Sequence, residues 1–313
     1  MQRLIIDTDP GVDDAQAILL ASAHPDTKVE ALLTVGGNVG LEHTTRNALA
    51  IVEVIDQDIP VYEGCDGPLI YAGEDAAWVH GSDGLGDSNI KPKSRKAEQE
   101  HAVNALIRMV NAEPNEFTLV AIGPLTNVAV ALQLDPQLPH KIKRFIDMGG
   151  AVTGKGNTSN VAAEFNIFAD PEAAHIVFEA WAKAGKMIEV VDWEATIRHG
   201  VSHDTVNDWL NINTQRGRFF KAVSSRSMDV LVKKFKREMW YGADPLALAV
   251  VVDPDCVEHA EDRFLMIETG RGPARGQTIV DWNNRMGVAP NTRIVLNVNQ
   301  ARFEELFRNG LTG

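Results

Sequence analysis

The chain has 313 residues with 30 Lys+Arg against 43 Asp+Glu, a formal net charge of −13, and it is 44% apolar and 23% charged. These are the proportions of a globular protein, so disordered, collagen-like and coiled-coil classes are excluded, and an acidic chain without a basic tract is a poor partner for nucleic acid or an anionic membrane. No apolar run reaches the ~18–20 residues that span a bilayer, Met1-Gln2-Arg3-Leu4 has no signal-peptide character, and the two isolated cysteines, Cys65 and Cys256, make neither a disulfide framework nor a zinc site, so a cytoplasmic protein is expected.

Along the chain, short β-branched runs alternate with longer amphipathic stretches. A buried strand is predicted over 4–7, and a helix over 13–23, where Ala15, Ile18 and Leu19 recur at helical spacing. A strand over 29–35, a helix over 41–55 and a short strand over 59–62 follow. Residues 64–100 are rich in Gly, Asp and Lys and read as a long loop region, a feature often tied to function. Next come a helix over 101–111, a strand over 117–121, a helix over 125–134, a strand over 144–148, a helix over 171–184 and a strand over 187–191. After about residue 200 the pattern changes. Residues 204–236 and 244–251 read as helical, 264–267, 278–281 and 292–298 as strands, and 300–309 as a closing helix. The alternation predicts an α/β protein: a Rossmann-like open, mainly parallel sheet flanked by helices. A helical insertion falls in the C-terminal third, and the whole is read as a single domain over 1–313.

The sharpest local feature is Asp7-Thr8-Asp9-Pro10-Gly11-Val12-Asp13-Asp14, four carboxylates in eight residues where the first strand meets the first helix. Strand geometry puts Asp7 and Asp9 on one side of the strand's end. Pro10-Gly11 turns the chain, and ligands of open α/β sheets bind beyond the carboxyl ends of strands, where this segment sits. Helix capping accounts for one or two of these residues. Four together repel and raise one another's pKa unless a cation holds them, and hard oxygen ligands suit Ca²⁺ or Mg²⁺. An EF-hand does not fit, because its sixth position would be Val12 and its twelfth Ile18. A strand ending in Asp-x-Asp also resembles haloacid-dehalogenase phosphatases, with Asp7 as nucleophile. Those place Thr or Ser where Gly11 stands, and they leave Asp13-Asp14 without a role.

With Ala15 added, the same segment resembles the N-terminal signature of the inosine–uridine-preferring nucleoside hydrolases. The resemblance continues in Thr34-Val35-Gly36-Gly37-Asn38-Val39 and His80-Gly81-Ser82-Asp83-Gly84-Leu85-Gly86. It runs on through Ala121-Ile122-Gly123-Pro124-Leu125-Thr126-Asn127, Met148-Gly149-Gly150, Glu164-Phe165-Asn166-Ile167 and Asp170-Pro171-Glu172-Ala173-Ala174.

The resemblance implies a hydrolase that splits the N-glycosidic bond of a ribonucleoside to ribose and free base. One Ca²⁺ would be held by Asp9, Asp14, the backbone carbonyl of Ile122, and Asp244 in Gly242-Ala243-Asp244-Pro245. Ribose recognition would fall to Asp13, Asn38, Asn157, Glu164 and Asn166, groups suited to hydroxyls that both donate and accept, with Phe165 packed beside the sugar. Asn160 is an alternative to Asn157. Asp9 would take a proton from the attacking water, and the transition state would resemble an oxocarbenium ion. Many members carry His before the last metal Asp as acid to the departing base, and here that position is Ala243. His80 becomes the first candidate for the acid, with Trp78, Trp240 and Tyr241 behind it. That departure keeps open a non-catalytic ribose or nucleoside binder of the same fold. The family also implies a homodimer or homotetramer.

Overall fold

Leu4, Ile5 and Ile6 are all fully buried, which a strand achieves only when both faces of its sheet are covered. Leu4 and Ile6 join one apolar core and Ile5 the other, as the two-residue period of a strand requires. A computed structural model describes residues 1–234 and 236–313. In chain order it runs β1 (Gln2–Thr8), α1 (Val12–Ala23), β2 (Thr27–Thr34), α2 (Leu41–Ile55), β3 (Val61–Glu63), α3 (Ala77–His80) and α4 (Ala102–Ala112). Then come β4 (Phe117–Ala121), α5 (Thr126–Leu134), α6 (Leu138–Lys141), β5 (Arg144–Met148), α7 (Phe165–Ala169), α8 (Pro171–Lys183) and β6 (Ile188–Val191). The C-terminal third holds α9 (Trp193–Arg198), β7 (Val201–Ser202), α10 (His203–Leu210), α11 (Gln215–Asp229), β8 (Met239–Trp240) and α12 (Ala243–Val252). It ends with β9 (Val257–Arg263), β10 (Leu265–Ile267), β11 (Thr278–Val280), β12 (Thr292–Val298) and α13 (Gln300–Thr312).

The central sheet has eight strands in the order β3-β2-β1-β4-β5-β6-β12-β9. Every neighbouring pair is parallel except β12–β9. The open, mainly parallel, helix-flanked sheet expected from the alternation is therefore present, and α9 to α11 form the helical insertion. The chain steps outward from β1 to β2 and β3, then returns to place β4 on β1's other side. That reversal makes β1/β4 a topological switch point, where a crevice opens past the strands' carboxyl ends. Asp9 and Ile122 are the first residues beyond β1 and β4 on that edge.

The structure adds elements that the pattern did not predict. β9, Val-Glu-His-Ala-Glu-Asp-Arg, is a charged, half-exposed edge strand whose pairing with β12 supplies its only ladder, and charge on an edge discourages further strand pairing. α6, α7 and α9 are single short turns, too brief to show a helical period. Residues 64–100 carry α3 and one isolated bridge, Tyr62 to Glu98. Part of this stretch is pinned where Glu53 accepts the backbone N–H groups of Lys93, Ser94 and Arg95.

α12, which carries Asp244, is buried along its whole length. Arg144 holds its far end by donating to the carbonyls of Val250 and Val251 while pairing both carboxylate oxygens of Glu189. On the sheet's other face, Trp181 of α8 is 2% exposed and packs tilted against Phe145 of β5, with ring centroids 4.8 Å apart. Trp181→Ala is expected to lower unfolding free energy by about 3–5 kcal/mol in urea titration. A loss under about 1 kcal/mol would contradict this packing.

Candidate active site

Five acidic side chains and two turns meet at the β1/β4 crevice. Asp9 is fully buried. Its Oδ2 accepts the Asn38 backbone N–H at 2.7 Å, and its Oδ1 has no partner among the described residues. A Cβ at Gly37 would collide with Oδ2 and one at Gly123 with Oδ1, so both turns need glycine to admit this carboxylate. Asp14, three residues after the turn glycine, reaches back over the start of α1. Its Oδ1 accepts Thr8 Oγ1 (2.6 Å) and the Asp9 N–H, and its Oδ2 accepts the Gly11 N–H and Asn38 Nδ2. The capping role is thus real for Asp14. Asp13 faces the cavity with Oδ1 unpartnered, and Asp244 enters from the first turn of α12. One carboxylate oxygen from each of Asp13, Asp14 and Asp244 lies within 4.8 Å of the others, and Asp9 stands outside that trio. The Ile122 carbonyl accepts Asn166 Nδ2 at 3.3 Å, and Ile122 lines the same cavity.

No lysine or arginine pairs with these carboxylates among the described residues. Burial, followed by their mutual repulsion, holds Asp9 and Asp244 well above the ordinary carboxylate range. Burial pushes Asp13 up to about 6, and burial with the charge of Asp13 pushes Asp14 up to about 6. Asp7 is held apart from this group, because its Oδ1 accepts Asn127 Nδ2 at 2.8 Å. An all-oxygen donor set with orphaned buried oxygens and no internal cation suits a hard divalent ion.

The adjoining cavity has a volume of about 500 Å³. Glu164 caps α7 by accepting the N–H groups of Asn166 and Ile167, and it also accepts that of Gly150. Burial pushes its carboxyl up to about 7. Glu164, Phe165, Asn166, Asn157 and Asn38 all line the cavity. The two candidate asparagines are placed differently. Asn157 lines the cavity with Oδ1 unpartnered. Asn160 lies outside it and spends its side chain on the loop, accepting Thr158 Oγ1 and the N–H groups of Ala162 and Ala163 while donating to the Arg275 carbonyl.

His80 is buried, and its Nδ1 accepts the Val12 N–H at 3.0 Å. Burial pulls its pKa down to about 4, so at neutral pH it is an uncharged imidazole with the proton on Nε2. Its Nδ1 lies 3.7 Å from Asp13 Oδ1, but a neutral ring makes no ion pair there. Trp78, Trp240 and Tyr241 also line the cavity, though Trp240 is packed into an aromatic cluster with Trp209 and Phe307. Ala243 presents a methyl group beside Asp244. Among the further lining residues that the sequence did not mark are Gln16, Trp193 and Arg237. Trp193 is the second residue after β6, so the rule that placed Asp9 at a strand's carboxyl end had the means to find it. Arg237 follows a stretch read as helix, and no local signal marks it.

A family model described as inosine-uridine preferring nucleoside hydrolase matches residues 4–305. Uridine nucleosidase 1 of Arabidopsis thaliana is 38% identical over 292 residues, covering 90% of this chain and 84% of that protein. Pyrimidine-specific ribonucleoside hydrolase RihB of Escherichia coli is 30% identical over 312 residues, covering 100% and 97%. Among solved structures, the plant nucleoside hydrolase PpNRh1 enzyme superposes with a TM-score of 0.91 at 33% identity, covering 100% of this chain and 99% of that one. The purine-preferring ribonucleoside hydrolase from Gardnerella vaginalis gives 0.90 at 31% identity, covering 100% and 98%.

The two asparagines make opposite predictions for stability. Asn160→Ala is expected to cost about 1–3 kcal/mol, because several of its hydrogen bonds hold the loop. Asn157→Ala, whose acceptor is free, is expected to leave the melting temperature unchanged. Thermal unfolding of both variants checks this, and equal losses would contradict the assignment.

Proposed function

The chain belongs to the inosine-uridine preferring nucleoside hydrolase family, and from that premise we propose how its carboxylate cluster and cavity act as a Ca²⁺-dependent site. The protein is an enzyme that hydrolyses ribonucleosides, and the phosphatase reading of Asp7 has no support from the comparisons. The observation that carries the finer reading is the pair of buried, unpartnered oxygens, Asp9 Oδ1 and Asp13 Oδ1, in an acidic cluster without an internal cation.

Asp14 and Asp244, whose oxygens converge with one of Asp13, would hold the ion, with Asp9 and the Ile122 carbonyl completing the donor set from the ends of β1 and β4. When bound, a divalent ion neutralises the cluster, lowers the pKa of water and fixes sugar hydroxyls. Asp9 is the base: its Oδ1, which no group holds among the described residues, suits it to take a proton from the attacking water. The asparagines and Glu164 hold ribose hydroxyls, since amide and carboxylate groups match hydroxyls that donate and accept. Phe165 packs against the ring. With the sugar fixed, attack at C1′ becomes effectively intramolecular. Negative charge around the ring then favours the oxocarbenium-like transition state. Uridine is the first substrate to test, on the strength of the Arabidopsis relative.

Two outcomes test this reading. Asp9→Asn is expected to lower uracil release by several orders of magnitude while the fold persists by circular dichroism; near-normal turnover contradicts the assignment. The second concerns the metal-free protein. A carboxyl whose folded pKa is raised stabilises the fold fully below its unfolded pKa, near 4, and that contribution is lost as pH rises through the folded value. For Asp13 and Asp14 this window lies between pH 4 and about 6. Chelator-treated protein should therefore melt at a lower temperature at pH 7.5 than at pH 5. Ca²⁺ at 100-fold its Kd should restore about 2.7 kcal/mol at the higher pH. An unchanged melting temperature on adding Ca²⁺ contradicts the metal reading.

A further inference from the structure

The reaction requires negative charge to be tolerated on the base as it leaves, and the residues assigned so far do not supply that. Ala243 has no polar group, and His80 has its Nδ1 committed to the Val12 N–H, which leaves it the Nε2–H alone to offer. Among the described residues, one cationic side chain lines the cavity, Arg237. Its guanidinium carbon lies 5.3 Å from the Trp193 ring centroid and 5.0 Å from that of Tyr241, and those rings meet edge-on at 6.1 Å. No carboxylate pairs with it among the described residues. An arginine held by ring faces keeps its N–H edge for another acceptor.

We propose that Arg237 is a catalytic residue at the base end of the cavity, where its N–H groups bind the ring carbonyl oxygen of an oxo-base and stabilise the charge that develops on it. This rests on the nucleoside hydrolase reading and adds to it the residue that answers for the departing base. As the C1′–N bond breaks, its electron pair leaves with the base and spreads onto the carbonyl oxygen. Water supplies hydroxide to C1′ and a proton to Asp9. The departed base takes its proton from solvent, and Asp9 returns its own. Arg237 stays protonated throughout, so it acts by charge and hydrogen bonding, not as an acid. Uracil and hypoxanthine ribosides present the required carbonyl, whereas adenosine presents none and is expected to be a poor substrate.

The test compares wild type, R237Q and R237K on uridine, inosine, adenosine and p-nitrophenyl β-D-ribofuranoside, whose leaving group departs without help. In R237Q, kcat for uridine is expected to fall about 10²–10³-fold while p-nitrophenyl riboside changes by less than about 3-fold. R237K, which keeps the charge without the fork, should recover part of the uridine rate. An equal loss on both substrates would make Arg237 a support of the aromatic wall and overturn the proposal, as would no loss on either. Adenosine turnover matching uridine in the wild type overturns the substrate class. A wild type that cleaves none of the four, with Ca²⁺ present, defeats the hydrolase reading itself.

Discussion

Carboxylates crowded out of water, with no lysine or arginine paired to them among the described residues, are the constraint around which the rest of this molecule is arranged. Asp9, Asp14 and Asp244 are buried with Asp13 beside them, and each would prefer to be protonated or to face a cation. A hydrophobic substitute at any of these positions would stabilise the fold more cheaply. Several buried acids held together against that cost are the signature of a functional crevice. Part of the strain is relieved locally, since Asp14 takes four hydrogen bonds from Thr8, Asp9, Gly11 and Asn38. Asp9 Oδ1 and Asp13 Oδ1 receive none, and these are the oxygens left for chemistry.

The sheet serves this crowding. β1 and β4 end side by side, and the glycine turns beyond β2 and β4 leave space for one carboxylate between them. α12 brings Asp244 in from a distant part of the chain, and Arg144 anchors its other end through Glu189. The helical insertion then lends Ser227 and Leu231 to the cavity wall, with Arg237 just beyond it. Carboxylates of Asp13, Glu164 and Asp244 thus line one cavity together with an aromatic pair, Trp193 and Tyr241, that carries Arg237, a mixture of polar and aromatic groups suited to a ribonucleoside.

Much of this arrangement could be read before any coordinates. The continuous apolar run Leu4-Ile5-Ile6 and the alternation of strands and helices announced the parallel sheet. The run from Asp7 to Asp14 announced the crevice, because local patterns carry such features. Three things were beyond local pattern. β9 looks like surface, since a charged edge strand has no apolar alternation to display. His80 reads as a ready acid until the Val12 N–H, 68 residues away in sequence, is found on its Nδ1. Arg237 becomes notable only when Trp193 and Tyr241 are seen beside it, with no ion-pair partner among the described residues. In each case the deciding contact is tertiary.

The central claim is that the acidic cluster binds one hard divalent ion in its ionised form. Calorimetric titration of Ca²⁺ into metal-stripped protein at pH 6, repeated in buffers of different ionisation enthalpy, tests it most directly. The account predicts one ion per chain with net proton release, because carboxyls titrating near pH 6 must ionise to bind. It also predicts that both signals disappear in Asp14→Asn. Absence of binding heat, or binding that survives that substitution unchanged, would contradict it.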